Sequence, residues 1–397
     1  MRVILAPDRF AGTLSAPEAA EAMAAGWRRR APHDELVLLP MSDGGTGFLD
    51  VLAPSVGGET LAATVSDPLG RSVPAALLVA DRGGVLTAYL DAGQACGPQL
   101  LTGDERDPTR TTSVGVGELL ATALEAGARR IVVGVGAVAT HDAGAGLLAA
   151  LGVGSRGRLA RGGLPLADLT TRDLDGLDGA VDRFRDVELV LATAHALPLL
   201  GLQGTSAVHA QGRGATPQQA QDLESALGHF ADLVRRVRPE RADLLTSRPR
   251  RLDKEPGAGV GGGVGHALLV LGGRRLSGVA VVSDAVGLRE AIEGADLVVT
   301  GEGTYDWQSL HDRVVAGVAR LALGCGVPSI VVAGQVSVGR RETMAAGLSG
   351  TYAVADRPPQ VAAALADPAG TLVARVARVA ATWSPATWSP AGWSPAG

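Results

Sequence analysis

Cysteine, aromatic residues, net positive charge and long apolar runs are all scarce in this 397-residue chain. Cys96 and Cys325 are its only thiols and lie far apart, which argues against a disulfide framework or a thiolate metal site. Aromatics make up 3% of the chain against 46% hydrophobic residues, so Ala, Val, Leu and Gly must carry the core. Such small side chains suit closely packed helices and sheets rather than an all-β sandwich. A formal charge of -5 argues against a broad nucleic-acid surface and leaves room for a local basic pocket. No uninterrupted apolar segment approaches the roughly 20 residues of a membrane helix. The apolar start is strand-sized and interrupted by Asp8, unlike a signal peptide. The expectation is a soluble, cytoplasmic protein of two domains.

What is abundant is glycine beside carboxylates. Such turns occur at Ala-Pro-Asp8, at Asp43-Gly44-Gly45, at Thr-His141-Asp142-Ala-Gly, in the Gly257–Gly265 run, and from Thr300 to Asp306. Three of them follow apolar segments of β type, where open α/β folds build sites. Glycine lets backbone amides approach an anion, and an adjacent carboxylate can hold a divalent cation. The combination points to an enzyme handling a phosphorylated cofactor.

The local pattern supports an α/β reading. Val3–Ala6 reads as a buried strand, Ser15 as a helix N-cap with Glu18 as its capping-box partner, and Glu35–Leu39 as the next strand. From about Thr60 the texture changes to short strands with hairpin-like turns. Further strands are expected at 130–135, 187–193, 279–283, 296–300, 329–333 and 351–355, and a helix from Pro217 to about Val237. The stretch 156–178 reads mostly as loop. The simplest architecture is a domain made from both chain ends, residues 1–60 and 283–375, with a second domain at 61–282 inserted between them. Residues 376–397 repeat Thr-Trp-Ser-Pro-Ala and read as a disordered or docked tail. Its tryptophans also suit a homo-oligomer contact.

Each candidate site residue has a bland reading beside the functional one. Asp8, with Arg9, ends the first strand and either caps the loop or points into a cleft. Asp43 with Gly44 and Gly45 is either an Asx turn or a cation-linked phosphate loop. His141 is a base, an anion contact or a helix cap. Asp142 orients a hydroxyl, binds Mg²⁺ or caps the helix. Gly257, Gly259 and Gly261 form a phosphate nest or a close helix crossing, and the run is no Walker A loop because its Gly-Lys-Ser/Thr ending is missing. Glu302 and Asp306, expected in the loop after the strand 296–300, stand with His311 and Arg313 as two acids, a base and a cation. That set suits phosphoryl transfer, with Asp43, Asp142 and Glu302 as the metal candidates.

Taken together, these motifs resemble the bacterial type I glycerate kinase family. The likeness rests on Ala6-Pro7-Asp8, Met41–Gly45, Asp67-Pro68-Leu69-Gly70-Arg71, Thr111-Thr112-Ser113, Gly212 with Gly214-Ala215-Thr216-Pro217, Pro256-Gly257-Ala258-Gly259, and Thr300–Gly303 with Asp306 and His311. It implies a Rossmann-like domain from both chain ends, an inserted α/β domain, and transfer of a phosphoryl group from ATP to D-glycerate with Mg²⁺. This chain departs from the family pattern at Arg9, Ala11, Thr46, Val138, His141, Ala143, Ala194, Leu197, Thr304, Trp307 and Arg313. The changes remove polar groups, which implies an altered hydroxy-acid substrate. The alternative is a repurposed non-kinase enzyme or a non-catalytic ligand-binding protein on the same scaffold.

Overall fold

Ser15 and Glu18 start the first helix as a reciprocal cap. The Ser15 amide donates to Glu18 Oε2 at 2.8 Å, and the Glu18 amide donates back to Ser15 Oγ. This helix, Ala16–Arg30, lays Met23 and Trp27, both fully buried, on the sheet behind it. The computed structural model describes residues 1–10, 12–239 and 251–384. Their strands are, in chain order, β1 (Arg2–Pro7), β2 (Glu35–Leu38), β3 (Glu59–Ser66), β4 (Ser72–Asp81), β5 (Leu86–Asp91), β6 (Arg130–Gly134), β7 (Glu188–Thr193), β8 (Arg274–Ser277), β9 (Leu297–Tyr305), β10 (Ser329–Val336) and β11 (Gly350–Ala353). Packing groups them into two units. One comprises residues 1–42 and the described residues from 282 onward, the other the described residues between 43 and 281.

The first unit is a parallel sheet ordered β11-β10-β9-β1-β2. From β1 the chain steps outward to β2, then returns on the other side of β1 as β9 and continues to β10 and β11. The order therefore reverses between β1 and β9. Leu5, Val299 and Val332 of the sheet meet Trp27 and Val376 in one core. The helix Pro368–Trp383 crosses the first helix closely, since a Cβ at Gly26 would stand 2.5 Å from the Val373 carbonyl oxygen.

The second unit is a mixed sheet ordered β3-β4-β5-β6-β7-β8, antiparallel through β5 and parallel beyond it. The helix Pro217–Val237 starts at Thr216 with its own capping box and buries Leu223, Leu227 and Phe230. Among the described residues no helix is long and apolar enough to cross a membrane.

Several local expectations are corrected. Residues 278–285 form a helix, not a strand. The stretch 156–178 contains helical turns, including Leu164–Asp168 and Thr171–Leu174, which bury Leu166 and Leu174. The helix Phe48–Val56 lies in the second unit, where Phe48 meets Tyr89 edge-on, so the first passage between units falls at 42/43. Trp383 belongs to the last helix, its Nε1 donating to the Tyr352 hydroxyl at 2.7 Å. Trp388 and Trp393, and Ala11, lie outside the described residues.

Candidate active site

In the first unit the order reversal sets the site. The chain leaves β1 at Pro7, so Asp8 and Arg9 sit at its carboxyl end. The Asp8 amide donates to the Gly301 carbonyl at 2.8 Å, which places Glu302 of β9 beside them. Open parallel sheets form their ligand crevice outside the carboxyl ends of such a pair. Asp8 Oδ1 accepts from the Arg9 amide at 2.7 Å. The Arg9 guanidinium forms no ion pair among the described residues.

Glu302 does not lie in a loop. It is buried inside β9, opposite Ala333 of β10, and the strand continues to Tyr305. Extended backbone advances about 3.3 Å per residue, so Glu302 and Asp306 are about 13 Å apart along the chain and do not form one metal pair. Asp306 caps the turn Trp307–Leu310, its Oδ1 accepting from the Gln308 amide at 2.8 Å and the Ser309 amide at 3.3 Å. His311 Nδ1 donates to the Trp307 carbonyl at 2.9 Å, so in the neutral imidazole it is Nε2 that carries the lone pair. Arg313 Nη2 donates to Gln308 Oε1 at 3.1 Å. The loop therefore keeps a base-competent imidazole and a cation together.

In the second unit, Asp43 forms an Asx turn, with Oδ1 accepting from the Gly45 amide at 3.1 Å. Gly44 has a φ of +90°, and a Cβ there would stand 2.4 Å from the Ala192 carbonyl oxygen at the end of β7. Glycine is thus required by the fit of this turn onto the sheet. Asp43 itself is half-buried.

Asp142, expected as a metal or catalytic residue or a helix cap, has its carboxylate met by protein donors at the starts of two helices. It is fully buried. Oδ2 accepts from the Ser113 amide at 2.8 Å, the Ser113 hydroxyl at 2.9 Å and the Gly146 amide at 3.2 Å, while Oδ1 accepts from the Gly144 amide at 3.0 Å. One carboxylate thereby ties the starts of the helices Val114–Glu125 and Ala145–Ala150. Burial pushes its acidity constant up, against the pull of these donors.

His141, expected as a base, an anion contact or a helix cap, likewise meets protein groups. It is fully buried, and its Nδ1 lies 3.0 Å from Arg213 Nη1. A guanidinium only donates, so Nδ1 accepts and the Nε2 proton points to Ser206 Oγ at 2.9 Å. Burial, then the Arg213 charge, hold this imidazole well below its usual range. It stays neutral with both nitrogens occupied.

The glycine run is closely packed. The amides of Gly257 and Gly259 both donate to the Leu197 carbonyl, at 3.2 and 3.1 Å. Gly261 is buried, and a Cβ there would meet Val135 Cγ1 at 2.9 Å. Among the described residues no three His, Cys, Asp or Glu side chains converge on a metal position.

The model of the glycerate kinase family matches residues 3–384. The chain belongs to that family. It is 40% identical over 383 residues to an uncharacterised protein of Mycobacterium bovis, covering 96% of this chain and 91% of that one. With a glycerate kinase of Bacillus subtilis it shares 38% identity over 342 residues, covering 85% of this chain and 86% of the relative. With glycerate 2-kinase of Escherichia coli it shares 35% over 343 residues, with coverages of 85% and 86%. The crystal structure of a provisionally named glycerate kinase 2 from Salmonella typhimurium LT2 matches with a TM-score of 0.76 at 33% identity, over 96% of this chain and 98% of that one.

Not all departures from the family pattern fall where they can alter chemistry. The Val138 side chain is buried in the core, and only its carbonyl is offered, to Arg213 Nε at 3.0 Å. Trp307 is 68% exposed, whereas Ala194 and Leu197 follow β7 directly and are half-buried. Ala143, where the family has glycine, holds a φ of +53°, a left-handed conformation in which its N–H donates to the Gly262 carbonyl at 3.0 Å. Sequence reasoning passed over Arg213, although it stands inside the motif Gly212–Pro217 as its one cation.

Proposed function

We propose that this chain transfers a phosphoryl group from ATP to a hydroxyl of a small hydroxy acid, with an acceptor preference shifted from D-glycerate. The observation that supports this reading is the placement of Asp8, Arg9 and Glu302 at the order reversal of the first sheet. The acceptor class follows from the relatives in Bacillus subtilis and Escherichia coli, a glycerate kinase and a glycerate 2-kinase. ATP would supply the phosphoryl group, and Mg²⁺ would offset its charge. Mg²⁺ keeps several waters and takes one or two carboxylates with phosphate oxygens, so a converging trio of acids is not needed. Asp8 and Glu302, both in the first unit, fit that role. Arg9 and Arg313 meet phosphate charge. His311 Nε2 takes or orients the acceptor's hydroxyl proton, and most of the rate comes from positioning and electrostatics.

Where the family pattern has polar side chains this chain has Ala194 and Leu197, a loss of hydrogen-bonding groups that favours a less polar acceptor. ADP release measured with Mg-ATP and a panel of hydroxy acids tests both parts. The expected kcat/KM for D-glycerate lies below about 10⁴ M⁻¹s⁻¹, and a higher value overturns the shift in acceptor. Absence of Mg-ATP binding at millimolar concentration overturns the kinase reading.

A further inference from the structure

Among the described residues of the second unit, one permanent cation, Arg213, has no counter-ion. Arg213 uses Nε on the Val138 carbonyl at 3.0 Å and Nη1 on His141 Nδ1 and Thr205 Oγ1, at 3.0 and 3.4 Å. All three acceptors are neutral. Among the described residues Arg213 has no carboxylate partner, and Nη2 has no protein acceptor. The side chain is only part-exposed, so water does not fully screen it. Burial alone brings its acidity constant down to about 10.

Its other neighbours are imidazoles. His209 stands on the π-helical turn Ser206–Ala210, a geometry found often at functional sites. The His209 ring meets that of His195 at 6.2 Å, edge to face. His209 is pushed down to about 4, by burial first, then by Arg213 and then by His195, with no acid opposing them. The His195 carbonyl also accepts from Arg275 Nε at 2.9 Å. A buried or half-buried guanidinium normally faces a carboxylate or phosphate, because its fork matches two oxygens. Here Nε and Nη1 are held in place by the protein and the remaining edge is not.

We infer that Arg213, with His209 beside it, forms an oxyanion subsite that receives either the carboxylate of the acceptor acid or a phosphate of the nucleotide. The naming of these two sources rests on the phosphotransfer reading above, whereas the subsite itself does not.

Calorimetry on the full chain separates the possibilities, using D-glycerate, inorganic phosphate, Mg-ATP and glycerol as individual probes. Arg213→Met is expected to weaken at least one oxyanion probe by about 10- to 100-fold and to leave glycerol unchanged, as for loss of a charged hydrogen bond. Loss confined to D-glycerate assigns the carboxylate. Loss of phosphate and Mg-ATP with D-glycerate unchanged assigns the phosphate. Arg213→Lys should recover part of the affinity, since charge returns without the fork. Equal binding of every probe by wild type and Arg213→Met, including no binding by either, overturns the subsite. Should Arg213→Met fail to fold, the His209 ring resonance of the wild type is followed during titration with phosphate and D-glycerate. A shift supports the subsite, and a fixed resonance overturns it. A wild type that binds an oxyanion through Arg213 but releases no ADP with any hydroxy acid retains the subsite and loses the kinase reading.

Discussion

Asp142→Asn separates a structural anchor from a metal ligand. In the wild type the Ser113 amide and hydroxyl, the Gly146 amide and, at a longer 3.4 Å, the Thr112 hydroxyl converge on Oδ2, and the Gly144 amide on Oδ1. Asparagine keeps one oxygen. With that oxygen on the Ser113 side, the new amide group faces the Gly144 N–H, donor against donor. One bond is lost and a buried amide is left unmatched, at about 1–3 kcal/mol. The three shorter of the surviving bonds, from Ser113 and Gly146, fall from charge-assisted to neutral, at about 1 kcal/mol each. Relief from burying a carboxylate offsets part of this, since burial already opposes the charged form. The net loss is about 2–4 kcal/mol, or roughly 5–15 °C in Tm for a unit of this size. Circular dichroism melts give the first number, and kcat measured well below the lowered Tm gives the second. The expected result is a lower Tm with kcat within a few-fold of wild type. An unchanged Tm with kcat reduced more than about 100-fold would refute the anchor and restore Asp142 to the metal.

Three further outcomes are expected. His141 lies well below its usual range and His209 at about 4 against an ordinary 6.5, so the unfolded chain takes up protons first as pH falls. Stability is then full above pH 6.5 and declines toward about pH 4, and equal urea midpoints at pH 7 and pH 5 would count against this. Gly26→Ala places a methyl 2.5 Å from the Val373 carbonyl oxygen and should cost about 1–3 kcal/mol in a melt, while wild-type stability would show that the two helices do not cross there. Trp383→Phe removes the donor to the Tyr352 hydroxyl and should cost about 1 kcal/mol, whereas an unchanged Tm would argue against a docked helix end.

The fold was legible wherever local chemistry and tertiary packing agreed. Ser15 with Glu18 announces a helix start, and Thr216-Pro217 with Gln219 does so again. Residues 278–285 misled because Val279, Val281 and Val282 favour a strand by propensity. The better signal was period: the exposed positions are Ala280 and Asp284, four apart, which is helical spacing. The site was harder to read. Asp142, His141 and the glycine run look the same in sequence whether they face a ligand or one another, and only the donors around them decide. Arg213 was missed for the converse reason. Its significance lies in the absence of an acid beside it in space, and spacing along a chain does not report that.

The first unit draws its parts from both ends of the chain. Val3 of β1 pairs with Leu297 of β9, and the helix carrying Met23 and Trp27 packs against Val376. The second unit is drawn from one continuous stretch. During synthesis at about 5–20 residues per second, roughly 20–70 s separate Met23 from Val376 leaving the ribosome. Through that interval the middle of the chain can already fold, while Leu5, Met23 and Trp27 present their apolar faces with no partner made. Yield in the cell should therefore depend on what shields the first 42 residues during translation as much as on the stability of the finished protein.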